Sequence, residues 1–258
     1  MSKTKQAFAS GKAFIPFLTA GDPDLETTEQ LILAMAEAGA DLIEIGIPFS
    51  DPIAEGPVIQ AADIRALASG TTTDKIFDMV QSVRKSCQVP LAFMTYMNPV
   101  YTYGVERFMA RCQAAGIDAL IVPDVPYEEK AELAEACWAF DVDLISMVAL
   151  TSKERAAAIA KEAEGFLYCV SSLGVTGVRS QLSTDIGSLI AQIKQVKDIP
   201  CAIGFGISTP EQAQTMAALS DGVIVGSAVV SLIAEHGRES APYAAEYVRE
   251  MKAAVQRA

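Results

Sequence analysis

Three carboxylates stand close together in the stretch "EIGIPFSDPIAEGPVIQ": Glu44, Asp51 and Glu55. Apolar residues run up to Glu44, the chain meets Gly46, Pro48, Pro52 and Pro57, and the other two acids ride on that turn. On an extended segment Leu42, Glu44 and Gly46 share one face, while Ile43, Ile45 and Ile47 share the other. The isoleucine face suits a layer of helices, which leaves Glu44 pointing into a core. A carboxyl taken out of water holds its proton to higher pH and serves as an acid or base near neutrality. The same placement also fits a buried glutamate satisfied by a neighbour's hydroxyl or amide. The prolines fix φ and remove backbone donors, so the loop is shaped rather than floppy. On it, Asp51 and Glu55 read either as site groups or as ordinary solvated loop acids.

A second cluster is built from glycine. "SSLGVTGVRS" holds Gly174 and Gly177 with Arg179 nearby, "GFGIST" holds Gly204 and Gly206, and "VGSAVV" holds Gly226 and Ser227. Such loops close turns. They also let backbone N–H groups and a helix N-terminus approach an anion, so three of them at neighbouring strand ends point to a phosphate site without a basic residue. No lysine falls within the expected strands or at their tips, which argues against Schiff-base and pyridoxal-phosphate chemistry in this chain. His236 is the single histidine, so most metal and triad chemistry is excluded and no metal site is expected. Carboxylates, Tyr168 and backbone amides remain, a vocabulary for proton transfer without a cofactor.

The elements that must position these groups alternate. Strand-like runs lie at 13–20, 41–47, 90–96, 118–124, 143–149, 165–171, 200–206 and 221–227. Alanine-rich amphipathic patterns lie between them at 27–39, 105–116, 127–140, 152–164, 185–196 and 210–220. Eight strands alternating with helices predict an α/β protein with a (β/α)8 TIM barrel fold. An open doubly wound sheet would place a G-x-G-x-x-G after the first strand, where this chain reads "TAGDPD". No linker or low-complexity tract divides the chain, so residues 1–258 read as a single barrel domain. Additional N- and C-terminal helices, near 2–9 and at 241–256, flank it. In this frame Glu44 and the glycine loops all sit at the C-terminal ends of strands, the face on which barrel enzymes keep their chemistry.

Composition agrees. The chain has 258 residues, 51% of them hydrophobic, and a formal net charge of −12. No basic stripe marks a nucleic-acid binder. No signal peptide and no membrane span is expected, and the chain reads as cytoplasmic. Five widely spaced cysteines without a C-x-x-C read as reduced, packed thiols.

"AFIPFLTAGDPD", "IEIGIPFSDPIAEGPVIQ", "YCVSSLGVTGVR", "GFGISTPEQ" and "VIVGSA" follow one another in the order seen in the tryptophan synthase alpha chain family, which the sequence closely resembles from about Phe14 to its last helix. The resemblance implies a lyase that cleaves indole-3-glycerol phosphate to indole and D-glyceraldehyde 3-phosphate. It implies Glu44 as the catalytic acid/base and Glu55 as the second catalytic acid, bound to the indole N–H. Phe17, Met94, Ile121, Met147, Phe205 and Ile224 would form the apolar indole pocket, with Tyr168 beside Glu44. Gly177, Gly204, Gly206, Gly226 and Ser227 would cradle phosphate, and Thr176 would reach the second acid on closure. It further implies a β-chain partner in an α2β2 heterotetramer, with pyridoxal phosphate in the β chain and no cofactor in this one. The Pro48–Pro57 loop and the Asn98–Pro99 loop would carry contact.

One departure stands out. The family pattern "SDPxADGP" has Asp as the second acid, whereas this chain has "SDPIAEGP". Glu keeps the charge and adds one C–C bond of reach, about 1.5 Å. The readings that compete with the lyase are another phosphate-binding barrel isomerase, a stand-alone indole-forming lyase, and a non-catalytic activating subunit.

Overall fold

The computed structural model describes residues 2–170, 179–204 and 206–258. Its strands are β1 (Ala13–Thr19), β2 (Ile43–Gly46), β3 (Leu91–Met94), β4 (Ala119–Ile121), β5 (Asp143–Leu144), β6 (Ser146–Ala149), β7 (Leu167–Val170), β8 (Cys201–Gly204) and β9 (Gly222–Val225). All pairings among them are parallel, in the order β5-β4-β3-β2-β1-β9-β8-β7-β6.

The run expected as one strand at 143–149 is split in two. Asp143–Leu144 pairs with β4, Ser146–Ala149 pairs with β7, and Ile145 between them donates its N–H to Leu120 O at 2.9 Å. Both ends of the strand order therefore belong to one stretch of chain, and the sheet closes into an eight-membered ring. A strand that must serve two neighbours at a tightly curved wall changes allegiance at one residue, which sequence alternation does not record.

Side chains sort by face. Ala13, Ile15, Leu42, Ala92, Ala119, Ile121, Phe166, Tyr168, Ala202 and Ile224 fill the barrel interior, with small and large residues alternating. Phe14, Leu18, Ile43, Ile45, Phe93, Leu120, Cys169, Ile203 and Val223 face the helices and form the larger outer core. Most strands are buried on both faces, the usual condition of a parallel sheet, while β5 and β6 are only partly buried.

The helices start where chemistry allows them to. Asp24 caps α2 (Leu25–Glu37) by accepting from Thr27 N, and Pro57 opens α3 (Pro57–Ala68). Thr72 caps α4 (Thr73–Val83). The helices α5 (Met97–Tyr103) and α6 (Val105–Ala115) follow, and α6 ends at Gly116 with φ 83°. Next come α7 (Ala131–Ala139), α8 (Lys153–Glu162) and α9 (Arg179–Val196), the last starting six residues before the amphipathic pattern read from the sequence. A capping box of Thr209 and Gln212 begins α10 (Pro210–Ala217), and α11 (Ser227–His236) and α12 (Ser240–Val255) complete the layer.

The leading helix is shorter than expected, α1 (Lys3–Gln6), because the chain leaves it to drop Ala7 and Phe8 into the floor of the barrel. Phe8 lies 5.4 Å from Phe166, ring to ring, and Thr4 hydrogen-bonds Asp143. No helix among the described residues is long and apolar enough to cross a membrane.

Candidate active site

A cavity of about 400 Å³ opens at the C-terminal ends of the strands. Phe17 of β1, Glu44 of β2, Met94 of β3, Tyr168 of β7 and Ile224 of β9 form its base and apolar walls. Ala54, Glu55, Gly56 and Ile59 close one side, and Gly206 to Ser208 with Gly226, Ser227, Ala228 and Ser231 close the other.

Glu44 is 1% exposed, and neither of its carboxyl oxygens has a hydrogen-bond partner among the described residues. The alternative of a buried glutamate satisfied by a neighbour therefore finds no partner here. Burial alone holds the Glu44 carboxyl up at about 8, so at neutral pH it carries a proton. Strand register delivers it there: Glu44 pairs with Phe17 on one side and Ala92 on the other, and the small Ala92 leaves room above the interior layer.

Two glycines clear space beside it. A Cβ on Gly46 would stand 2.6 Å from the Phe17 ring, and one on Gly204 would stand 2.5 Å from Tyr168 Oη. Gly204, expected in the phosphate cradle, is not among the residues that line this cavity; its missing side chain leaves room for the Tyr168 ring. Burial pushes the Tyr168 phenol well above its ordinary range, and the nearby Glu44 adds to this.

Glu55 sits on the proline loop, half-buried, in contact with two other polar side chains. The Asp63 carboxyl of α3 and the Tyr96 hydroxyl both lie within hydrogen-bond reach of it. Tyr96 Oη in turn accepts from Ala54 N at 3.0 Å. Asp63 is 3% exposed, and burial, then the hydrogen bond and charge of Glu55, push its carboxyl up to about 8. Burial likewise raises Glu55. Two ionised carboxylates offer each other no donor, so their contact is a hydrogen bond only with a proton between them. Asp51, by contrast, is exposed and, among the described residues, accepts only from Ser50 Oγ at 2.5 Å, as a solvated loop acid does. Arg65 of α3 binds Asp22 through two 2.7 Å bonds and pins this helix to the loop after β1.

The opposite wall is made of backbone. Gly206 has φ 73°, a conformation that side chains resist, and Gly226 N-caps α11 without any side-chain hydrogen bond. The first N–H groups of α11 therefore face the cavity with no side-chain acceptor, flanked by the hydroxyls of Ser227 and Ser231. Positive dipole and unpaired donors suit an anion.

Of the residues expected from the sequence, the cavity gathers Glu44, Glu55, Phe17, Met94, Tyr168, Gly206, Ile224, Gly226 and Ser227. Ile121 lies in the interior layer below rather than on the cavity wall. Met147 lines a different cavity, of about 200 Å³, beside Val122, Tyr127 and Arg155. Gly174, Thr176, Gly177 and Phe205 fall outside the described residues. The sequence reading missed Ile59, Ser231 and Asp63. Each had a signal in helical spacing: Ser231 stands four residues after Ser227, and Asp63 four after Ile59.

A protonated carboxyl in an apolar slot, a second acid across from it and an amide-lined anion site together favour acid/base chemistry on an aromatic, anionic substrate. Comparison with known proteins agrees. A family model described as tryptophan synthase alpha chain matches residues 2–256. The tryptophan synthase alpha chain of Lacticaseibacillus casei is 48% identical over 256 residues, 99% of this chain and 96% of that protein. That of Geobacter sulfurreducens is 48% identical over 254 residues, 94% of this chain and 96% of that protein. Among solved structures, tryptophan synthase subunit alpha from Legionella pneumophila superposes with a TM-score of 0.91 at 34% identity, covering 100% of both chains. The tryptophan synthase complex from Pyrococcus furiosus contains a chain that superposes at 0.85 with 35% identity, covering 94% of this chain and 98% of that one.

Proposed function

The chain belongs to the tryptophan synthase alpha chain family, and on that footing we propose how its residues divide the work. The reaction is the alpha reaction of L-tryptophan biosynthesis, a retro-aldol cleavage of indole-3-glycerol phosphate to indole and D-glyceraldehyde 3-phosphate.

Glu44 gives its proton to indole C3, which puts positive charge on the ring nitrogen. The resulting carboxylate then takes the proton of the glycerol hydroxyl next to the ring. As that O–H bond gives way to C=O, the C3–carbon bond breaks and its electron pair restores the aromatic ring. Glu44 ends protonated, so no proton is consumed. Glu55 stabilises the ring charge through the indole N–H, an electrostatic contribution strengthened in a dry site. Phe17, Ile59, Met94 and Ile224 hold the indole, and Tyr168 shields Glu44 from water. Gly206, Gly226, Ser227 and the start of α11 hold the phosphate. Gly204 acts by making room for Tyr168. Thr176, Gly177 and Phe205 keep the roles that the family resemblance gives them, reaching Glu55, cradling phosphate and packing on indole.

The observation that carries this reading is Glu44, buried at the base of the cavity without a hydrogen-bond partner among the described residues, where burial raises its carboxyl to about 8. Glu44→Gln keeps the shape and removes the exchangeable proton, so indole release should fall by about 10² to 10⁴ or more. Near-normal turnover in a folded variant overturns the assignment.

A pyridoxal-phosphate β chain is the proposed partner, in an α2β2 assembly, and this chain itself works without a cofactor in the cytoplasm. The support is the complex from Pyrococcus furiosus and the side chains next to Glu55 in sequence and fold: Ile53 is 79% exposed and Ile64 of α3 is 68% exposed. Exposed apolar side chains on this loop and helix suit a contact surface if they form one patch.

A further inference from the structure

Asp63 has no part in the acid/base cycle above, yet it is a buried acid placed against Glu55. We propose that Asp63 is a positioning residue for Glu55: its carboxylic acid donates a hydrogen bond to the Glu55 carboxylate and holds that anion on the α3 side of the cavity, ready for the substrate nitrogen. The inference rests on Glu55 being the second acid of the lyase.

The geometry decides which partner keeps the proton. Asp63 is 3% exposed on a helix whose apolar face is Ala62 and Ala66, whereas Glu55 is half-buried at the cavity edge. Charge is costlier at the deeper site, so the proton resides on Asp63. Its Oδ2 and Glu55 Oε2 are both buried with no hydrogen-bond partner among the described residues, so a proton shared between the two carboxyls is what would satisfy both. Tyr96, just beyond β3, stands beside the pair: its oxygen accepts from Ala54 N at 3.0 Å, which leaves its O–H free to donate towards Glu55.

The other groups around the pair favour the same state. Asp22, from the loop after β1, adds negative potential at Asp63, although Arg65 of α3 binds it through both oxygens. The Phe49 N–H is the exception: beside Asp63 it favours the anion, but burial and Glu55 outweigh it. Glu44 stands across the cavity and is neutral below about pH 8. On this proposal the pair carries one charge near neutrality, on Glu55, with the Asp63 acid as its donor. In alkali Asp63 loses its proton, the donor disappears and two adjacent anions repel, so Glu55 leaves its position.

The test is the pH profile of indole release from indole-3-glycerol phosphate by the parent, Asp63→Asn and Asp63→Leu proteins. The Asn amide still donates but cannot ionise. Asp63→Asn should keep kcat within about threefold near neutrality and show a shallower alkaline fall, with Glu44 alone titrating. Asp63→Leu should lose about tenfold or more in kcat, with KM changed less. Equal losses in both variants, or an unchanged alkaline slope in Asp63→Asn, overturn the proposal.

A second measurement needs no variant at position 63. In protein labelled with ¹³C-carboxyl aspartate, one resonance should titrate well above the ordinary range and move down towards it in Glu55→Gln. A resonance that titrates in the same place with and without Glu55 also overturns the proposal. Full indole release by Glu55→Gln would instead remove Glu55 itself from the mechanism, whatever the resonance does.

Discussion

Replacing Glu44 with glutamine should make the protein more stable as it makes it inactive, and the gain should depend on pH in a calculable way. In the folded chain burial holds the carboxyl up at about 8, against an ordinary value of 4.5. Between those values the unfolded chain has released the proton and the folded chain has not. The folded state binds more protons, so stability falls as pH rises. The contribution of a group raised in this way is whole below about 4.5 and lost by about 8. Each pH unit is worth about 1.4 kcal/mol. Neutrality lies about two and a half units above 4.5, so the parent has given up roughly 3 kcal/mol there, a large share of the 5–15 kcal/mol that holds a typical protein folded.

Glutamine does not titrate. Its amide sits unpaired where the acid did, which displaces the whole stability curve without changing its slope. The stability of Glu44→Gln minus that of the parent should therefore climb by about 1.4 kcal/mol per unit from about pH 5 and level off near 8. Urea unfolding followed by far-ultraviolet circular dichroism at a series of pH values reads this directly. The single tryptophan, Trp138, is 79% exposed and makes a poor fluorescent reporter. Parallel stability curves for the two proteins would refute the claim that Glu44 is protonated and buried in the resting state.

At position 55 the charge matters more than the length. Glu55→Asp should keep indole release within about tenfold, about 1.4 kcal/mol, while Glu55→Gln loses far more, with or without the β chain; a silent Glu55→Gln would exclude this residue. Gly204→Ala brings a Cβ to 2.5 Å from Tyr168 Oη, so chemical denaturation should show a loss of about 1–3 kcal/mol, and unchanged stability would mean that Tyr168 moves freely. At Gly206, φ 73° makes any side chain costly by about 1–3 kcal/mol, although the space around it is open. Steady-state kinetics of Gly206→Val should show KM for the phosphorylated substrate rising more than kcat falls, and equal turnover of the substrate lacking phosphate by the parent would contradict the anion site.

Much of this was legible in the chain because two periodicities overlap with little noise. Alternation around Glu44 set its direction, and the repeated strand–helix rhythm set the barrel end at which it emerges. What escaped depends on neighbours distant in sequence. The break at Ile145 reflects ring closure between Asp143–Leu144 and Ser146–Ala149, whose partners lie on opposite sides. Gly204 reads as a loop glycine until Tyr168 is seen passing over it. Asp51 and Glu55 are indistinguishable as letters on one loop. Only Tyr96 and Asp63, brought in by the end of β3 and by α3, separate the positioned acid from the solvated one.

The floor of the barrel carries one further consequence. Ala7 and Phe8 stopper the N-terminal end, and beneath Glu44 the bore is filled by Leu42, Ala92, Ala119 and Phe166, all without solvent exposure. The cavity is therefore a cul-de-sac. Indole is small and uncharged, and in an open-ended bore it would leak away from whatever stands over the mouth. Here product leaves by the mouth, one side of which is the Ala54–Ile59 segment, so a partner that covered the mouth would meet the outflow before the surrounding water does. Handover would then need no affinity of the partner for this chain's product in bulk solution, only that the partner cover the mouth.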